Sequence, residues 1–260
     1  MSSPRPNSFD LHGRLAVVTG GAGWLGRPMV EALAEAGARV IIASRDAANA
    51  AGVVRACTDQ GLSVEYLPYD QADEASIDAL ADRTAEMPGG VDILVNNAAQ
   101  WPMRSRQAPL ADFARSMQVN ATGLFAITRR FGDHMAARGH GVIVNVGSVF
   151  GLVGPDFSLY EDIGDGGFPD YFFHKGGLLQ LTRYAAALYG PRGVRVNTLS
   201  LGPFRKRQPD ELAARFAGRT LLGRMGAAPE VRGAIVFLAS AASSYMTGSN
   251  LVVDGGYTAI

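Results

Sequence analysis

Short, almost wholly apolar runs alternate with longer amphipathic stretches from one end of this chain to the other, and few folds accommodate that pattern. The apolar runs fall at Leu15–Thr19, Val40–Ala43, Val64–Leu67, Ile93–Asn96, Val142–Val146, Arg195–Leu199 and Leu251–Val253. Runs of this length without an in-out alternation read as strands buried on both faces, and the stretches between them, 25–36, 47–60, 74–86, 110–137, 171–189 and 229–241, carry helical spacing. The result is a series of βαβ units and hence a parallel sheet. The spacing leaves no room for a second core, so residues 1–260 are expected to form one domain. Two segments stay irregular, 150–169 and 201–210. Loops that long inside a compact domain usually serve as lids or binding loops.

Composition excludes several partners. The 24 basic residues balance 24 acidic ones, leaving no field to recruit nucleic acid or an anionic membrane. The longest basic run is Arg205-Lys206-Arg207. One cysteine, Cys57, cannot make an internal disulfide, the N-terminal stretch lacks an apolar signal core, and no apolar run reaches the roughly 20 residues of a membrane helix. A cytoplasmic protein is expected. His12, His134, His140 and His174 show no ligand spacing, so no metal is expected. The chain has 32 glycines, which suggests tight turns or close approaches to a ligand, and only two lysines, Lys175 and Lys206.

After the first strand comes TGGAGWLG, residues 19–26, leading into a helix. Gly21, Gly23 and Gly26 satisfy G-x-G-x-x-G in the strand-turn-helix context that a dinucleotide pyrophosphate needs, with free helix N–H groups facing the phosphates. After the second strand, where an acid would bind the adenosine ribose, stands Ser44, followed by Arg45 and Asp46. Arg45 can pair with a 2′-phosphate, whereas Asp46 suits a helix cap, so NADP(H) is favoured over NAD(H). The alternative is that Arg45 lies on a solvated face.

In YFFHK, Tyr171 and Lys175 are four apart and share one helix face. A phenol ordinarily titrates near about 10, and an adjacent ammonium lowers that value. His174 points about 100° away around the helix and reads as packing or solvated. Ser148 lies just past a buried strand. Tyr160 is flanked by glycine and aspartate that do not read as helix, so it is at best a pocket residue.

With these pieces in order, the sequence resembles the short-chain dehydrogenase/reductase family over essentially its whole length. The matches are TGGAGWLG, Asp70, NNAA at 96–99, VNATG at 119–123, VNVGSVFG at 144–151, YFFHK, RVNTLSLGP at 195–203 and TGSNLVVDGG near the C-terminus. The resemblance implies a doubly wound Rossmann fold with a seven-stranded parallel sheet and helices on both faces. It implies Tyr171 as acid/base, Ser148 bonded to the substrate oxygen, Lys175 on the nicotinamide ribose and lowering the tyrosine pKa, and Asn120 completing a proton relay. It implies a cofactor held by Gly20, Gly21, Gly23, Trp24, Leu25 and Gly26 of the turn, by Ser44 and Arg45, by Asp70 and Gln71, by Asn97 and Ala98, by Tyr171 and Lys175, and by Gly202 and Phe204. A homo-oligomer, tetramer or dimer, is implied through the helices 110–137 and 171–189, where Phe125, Phe131, Leu178, Leu181 and Leu188 are candidates for the interface.

The chain departs from the family pattern in places. Trp24 stands where the standard pattern has glycine, as a packing residue or one that narrows the turn. Leu201 replaces a proline, and the hydroxyl residue expected soon after it is missing. Ser148 and Tyr171 are 23 positions apart, about ten more than usual. The surplus in 150–169 resembles a branch linked to sugar-type substrates, with gluconate 5-dehydrogenase-like and flagellin or nonulosonate sugar-modification enzymes, and is expected to wall the substrate pocket beside a covering segment at 201–218. Trp101, Phe150, Tyr160, Phe168 and Arg205 are candidate substrate contacts. The substrate reads as a sugar-like or acidic small molecule interconverted between secondary alcohol and ketone. An apolar cyclic ketone, or a sensor that has lost turnover, are the alternatives.

Overall fold

The computed structural model describes residues 7–163, 166 and 168–259. Seven parallel strands, β1 Leu15–Thr19, β2 Arg39–Ser44, β3 Val64–Pro68, β4 Ile93–Asn96, β5 Gly141–Ser148, β6 Val194–Leu201 and β7 Asn250–Val253, form one sheet in the order β3-β2-β1-β4-β5-β6-β7. The helices are α1 Gly26–Glu35, α2 Ala47–Thr58, α3 Glu74–Ala85, α4 Leu110–Met117, α5 Leu124–Arg138, α6 Pro169–Tyr189, α7 Asp210–Ala217 and α8 Arg232–Ala239. One apolar cluster, including Met29, Leu33, Ile42, Ile235 and Leu238, covers one sheet face, and a second, including Ile77, Leu94, Phe131, Ile143 and Tyr189, covers the other. This is the expected doubly wound single domain. The strand order reverses between β1 and β4, which opens a crevice at the carboxyl ends of the strands.

Local chemistry sets the element ends. Asp46 accepts from the Asn49 N–H and caps α2, as expected, and Asp73 does the same for α3 through Ala75. Gly139 ends α5 at φ +77°, a left-handed conformation suited to glycine.

The stretch 110–137 is not one helix. Between α4 and α5 the turn Gln118–Gly123 widens to π geometry, and Gln71 Nε2 donates to the Val119 carbonyl at 2.9 Å. A Cβ on Gly123 would lie 1.9 Å from the Gln71 carbonyl oxygen, so the absence of a side chain there lets the turn close onto the β3–α3 connection. Phe131 and Leu178, candidates for an interface, are core residues at 2% and 3% exposure, while Phe125 and Leu188 are exposed. The 229–241 stretch shortens to α8 behind a 3-10 turn, and α7 lies within the expected covering segment.

A buried polar chain joins the middle of the sheet to α6. Asn96 Nδ2 donates to Asn145 Oδ1 at 2.8 Å, Asn145 Nδ2 donates to Thr182 Oγ1 at 2.8 Å, and the Thr182 and Thr198 hydroxyls lie 2.8 Å apart. Asn96 Nδ2 also reaches Thr128 on α5. Buried donors and acceptors need partners, and these mostly find each other, although Thr182 Oγ1 also reaches the Leu178 carbonyl at 3.0 Å and Asn96 Oδ1 has no partner among the described residues. Replacing Asn145 with Ala strands groups on both neighbours and should lower the unfolding free energy by about 1–3 kcal/mol. Urea unfolding should show a lower midpoint at unchanged slope. An unshifted midpoint would mean that the chain of bonds adds nothing to stability.

Candidate active site

The crevice is built from the first turn. Gly20 takes φ +63°, which favours glycine, and a Cβ on Gly26 would lie 2.3 Å from the Gly20 carbonyl oxygen. The chain thus folds tightly from β1 into α1. Helix α1 has neither a side-chain cap nor an acid in its first turn, in contrast to α2 and α3. Its first N–H groups and positive dipole end are available to an anion. They border a cavity of about 810 Å³.

The cavity wall contains Gly20, Gly23, Trp24, Leu25, Gly26, Ser44, Arg45, Asp70, Gln71, Asn97, Ala98 and Trp101 of the expected residues. Its size, uncapped helix end and long run from β2 to the β4 end fit a dinucleotide. Asn97 serves the turn itself, donating through Nδ2 to the carbonyls of Thr19 and Gly20 at 3.0 Å. Gln71 spends its amide on the carbonyls of Ala98 and Val119. Arg45 is exposed and has no ion pair among the described residues.

Five expected cofactor residues fall outside this wall: Tyr171 and Lys175, which belong to the acid/base group described below, and Gly21, Phe204 and Gly202. Gly21 is buried, where a Cβ would crowd Val30 at 2.9 Å, so it serves helix packing. Phe204 points into the core at 6% exposure, because its strand-like bridge to Gly226 turns the ring inward. Gly202 packs against Asp254, 2.5 Å from where a Cβ would lie. Conversely, Tyr69, Asn49 and Lys206 line the cavity without having been expected as cofactor residues. Thr19 braces the site from beneath, its hydroxyl accepting from the N–H groups of Asn97 and Ala98 at 3.0 Å. Its place at the head of TGG was the available signal.

At the carboxyl end of β5 and the start of α6 the acid/base candidates converge. Tyr171 lies close enough to Ser148 for that hydroxyl to favour its phenolate, and Ser148 Oγ accepts from the Phe150 N–H at 3.2 Å. Lys175 Nζ donates to the Val146 carbonyl at 2.7 Å and lies 5.7 Å from the Tyr171 ring centre. Asn120 sits in the π turn, locked by Nδ2 to the Gln100 carbonyl at 2.6 Å and to Ser116 Oγ at 2.9 Å. The expected lowering of the tyrosine pKa is not what this arrangement gives. Burial pushes Tyr171 above its ordinary value, and the neighbouring Ser148 hydroxyl only opposes that rise. Burial likewise pushes Lys175 down to about 8. His174 is buried and is pushed down to about 3 by burial and by Lys175, so it is a neutral packing residue.

Aromatic rings surround Tyr171. Trp101 meets it edge-on at 4.6 Å between ring centres, and Phe150 lies at 6.3 Å. Phe150 touches Tyr257, which leads to Phe216 and Tyr160. Tyr160 lies in a 3-10 turn, Phe157–Tyr160, and burial pushes its hydroxyl up to about 12. Phe168 is exposed at the start of α6 and makes no ring contact among the described residues. Arg205 is paired with Asp210 and so is turned toward the start of α7. Part of the expected pocket wall, residues 164, 165 and 167, lies outside the described residues. No group of three potential ligands able to hold a metal occurs among the described residues, and none of their helices is long and apolar enough to cross a membrane.

Comparison with known proteins matches this architecture. A family profile described as enoyl-(acyl carrier protein) reductase spans residues 21–258. The chain belongs to the short-chain dehydrogenase/reductase family. Among its relatives in that family is cis-4-hydroxycyclohexanecarboxylate dehydrogenase of Sinomonas cyclohexanicum, 38% identical over 95% of this chain and 97% of that protein. Galactitol 2-dehydrogenase (L-tagatose-forming) of Cereibacter sphaeroides is 37% identical over 96% and 97%. A solved short-chain dehydrogenase/reductase, gluconate 5-dehydrogenase of Burkholderia cenocepacia in complex with NADP and tartrate, superposes with a TM-score of 0.85 at 33% identity, covering 97% of this chain and 98% of that one.

The lowered Lys175 pKa carries a pH signature. The ammonium is charged below about 8 and neutral above it, so turnover that needs its charge should fall as pH rises through that value. Lys175→Arg, which stays charged throughout, should turn over more slowly and lack this falling limb. The pH dependence of kcat/KM for both proteins checks this. A limb shared unchanged by the two would assign it to another group.

Proposed function

We propose that this protein interconverts a secondary alcohol and a ketone with a nicotinamide dinucleotide, using Tyr171 as the acid/base. The observation that carries the reading is the placement of Tyr171 beside Ser148, with Lys175 one helical turn on, next to a cavity that opens on an uncapped helix end. The cofactor, held by the turn 20–26, Ser44, Arg45, Asp70, Asn97 and Ala98, supplies or accepts hydride. Ser148 Oγ bonds the substrate oxygen. In the reducing direction Tyr171 gives its hydroxyl proton to that oxygen, and in the oxidising direction it takes the proton back. Lys175 stabilises the phenolate left behind. The side chain of Asn120 is spent on Gln100 and Ser116, so a relay role falls to the main chain of its widened turn.

Arg45, on the cavity wall and without an ion pair among the described residues, supports preference for NADP(H). The relatives act on cyclic or polyhydroxylated alcohols by name, and the wall of Trp101, Phe150 and Tyr257 suits a ring lying against aromatic faces. The neighbouring cations support an acidic substrate less well, because Arg205, Arg215 and Arg219 are each paired with an acid. A small cyclic secondary alcohol is therefore the favoured substrate class. The exposed Phe125, Tyr184 and Leu188 offer an apolar face to a second copy of the chain.

Tyr171→Phe should cut turnover by about 10²–10⁴ while leaving dinucleotide affinity within about twofold. Assays would use cyclohexanols, hexitols and aldonates with each dinucleotide. Unaltered turnover in this variant would remove Tyr171 from the chemistry. Binding of a dinucleotide without turnover on any of these alcohols or the matching ketones would favour the sensor reading.

A further inference from the structure

One of the two lysines of the chain is absorbed by the catalytic centre, and the other, Lys206, is not. Its ammonium lies 5.6 Å from the centre of the Trp24 ring, and both residues line the cavity. Trp24 belongs to the turn at the N-terminal end of α1 and packs partly against the core beside it. Lys206 comes from the opposite side, from the segment that follows β6.

That segment is held in place by its main chain. Phe204 bridges Gly226, the Arg205 N–H donates to the Gly226 carbonyl at 2.8 Å, and the Gly226 N–H donates to the Pro203 carbonyl at 2.9 Å. Gln208 closes the bend, accepting from the Lys206 N–H at 2.7 Å and donating to the Phe204 carbonyl at 3.1 Å. Arg205 is neutralised by Asp210, whereas Lys206 has no acidic partner among the described residues. An unpaired ammonium, on a fixed backbone and resting on an indole face, is thus aimed at the uncapped end of α1.

We infer that Lys206 is a ligand of the dinucleotide pyrophosphate, and that Trp24, standing where the family pattern has glycine, is the platform that holds its ammonium over the turn. The inference rests on the dinucleotide reading of the cavity and adds a cation on the face opposite the helix N-terminus. Two negative phosphates would then lie between the α1 dipole end and a full positive charge. An ammonium acts here as a point charge and needs no fork geometry. The indole face keeps it in place through cation–π attraction without neutralising it. Arg45, beyond β2, remains the candidate for the 2′-phosphate, so the two cations have separable tasks.

The test is calorimetric titration of the full-length protein and its variants with NADPH, NADH and adenosine 2′-monophosphate, which lacks a pyrophosphate. Lys206→Met should weaken NADPH and NADH by the same factor, about tenfold, leave adenosine 2′-monophosphate unchanged, and flatten the salt dependence of dinucleotide binding. Lys206→Arg should recover most of the loss. Trp24→Leu should lose part of the affinity, and adding it to Lys206→Met should cost nothing further. Undiminished dinucleotide binding by Lys206→Met overturns the inference, as does a loss confined to NADPH. Additive losses overturn the platform role of Trp24. A wild-type protein that binds neither dinucleotide overturns the cofactor reading itself, and this inference with it.

Discussion

The chain of hydrogen bonds Asn96–Asn145–Thr182–Thr198 fixes the relation on which the site depends. Tyr171 and Lys175 lie on α6, Ser148 ends β5, and nothing in the covalent chain forces helix and strand into register. Thr182 follows Lys175 by seven residues, two helical turns along the same face, and it is bonded to β5 through Asn145 and to β6 through Thr198. Apolar packing alone would let α6 slide or rotate by small amounts at little cost, because it lacks direction. Directional bonds in a dry interior do not allow this, since a displaced partner leaves a buried polar group unpaired.

Burial at the site has opposed effects. It takes Lys175 and much of Tyr171 out of water, and in doing so it disfavours the charged forms of both, raising the phenol and lowering the ammonium. The two values move apart, the phenol rising from an ordinary value near that of the ammonium while the ammonium falls to about 8. Burial therefore keeps the phenol protonated at neutral pH, ready to give its proton once an oxyanion forms beside it. His174, in the same environment and beside the same ammonium, is driven fully neutral and becomes part of the wall.

Much of this was legible in the sequence. Strand positions followed from short apolar runs, with β1 and β4 matching their expected bounds, because strands buried on both faces leave a strong compositional mark. Asp46 read correctly as a cap since its chemistry is local. The π turn at Gln118–Gly123 was not legible, because it depends on Gln71 meeting Val119 across 48 positions. The inward turn of Phe204 was missed for a similar reason: its direction is set by a bridge to Gly226, and a motif position does not reveal which face a side chain takes. Lys206 stood out in the sequence only as one of two lysines and as the middle of the longest basic run. Only the fold shows that the covering segment passes over Trp24.

The chain contains two tryptophans, and both face the same cavity, Trp24 at the turn before α1 and Trp101 against Tyr171 and Lys175. The indole emission of the protein therefore arises entirely from the walls of this cavity. A chain with one of the two replaced becomes a spectroscopic probe of one end of the cavity at a time. Occupancy at the turn and occupancy at the acid/base can then be timed separately in the same molecule, without an added label.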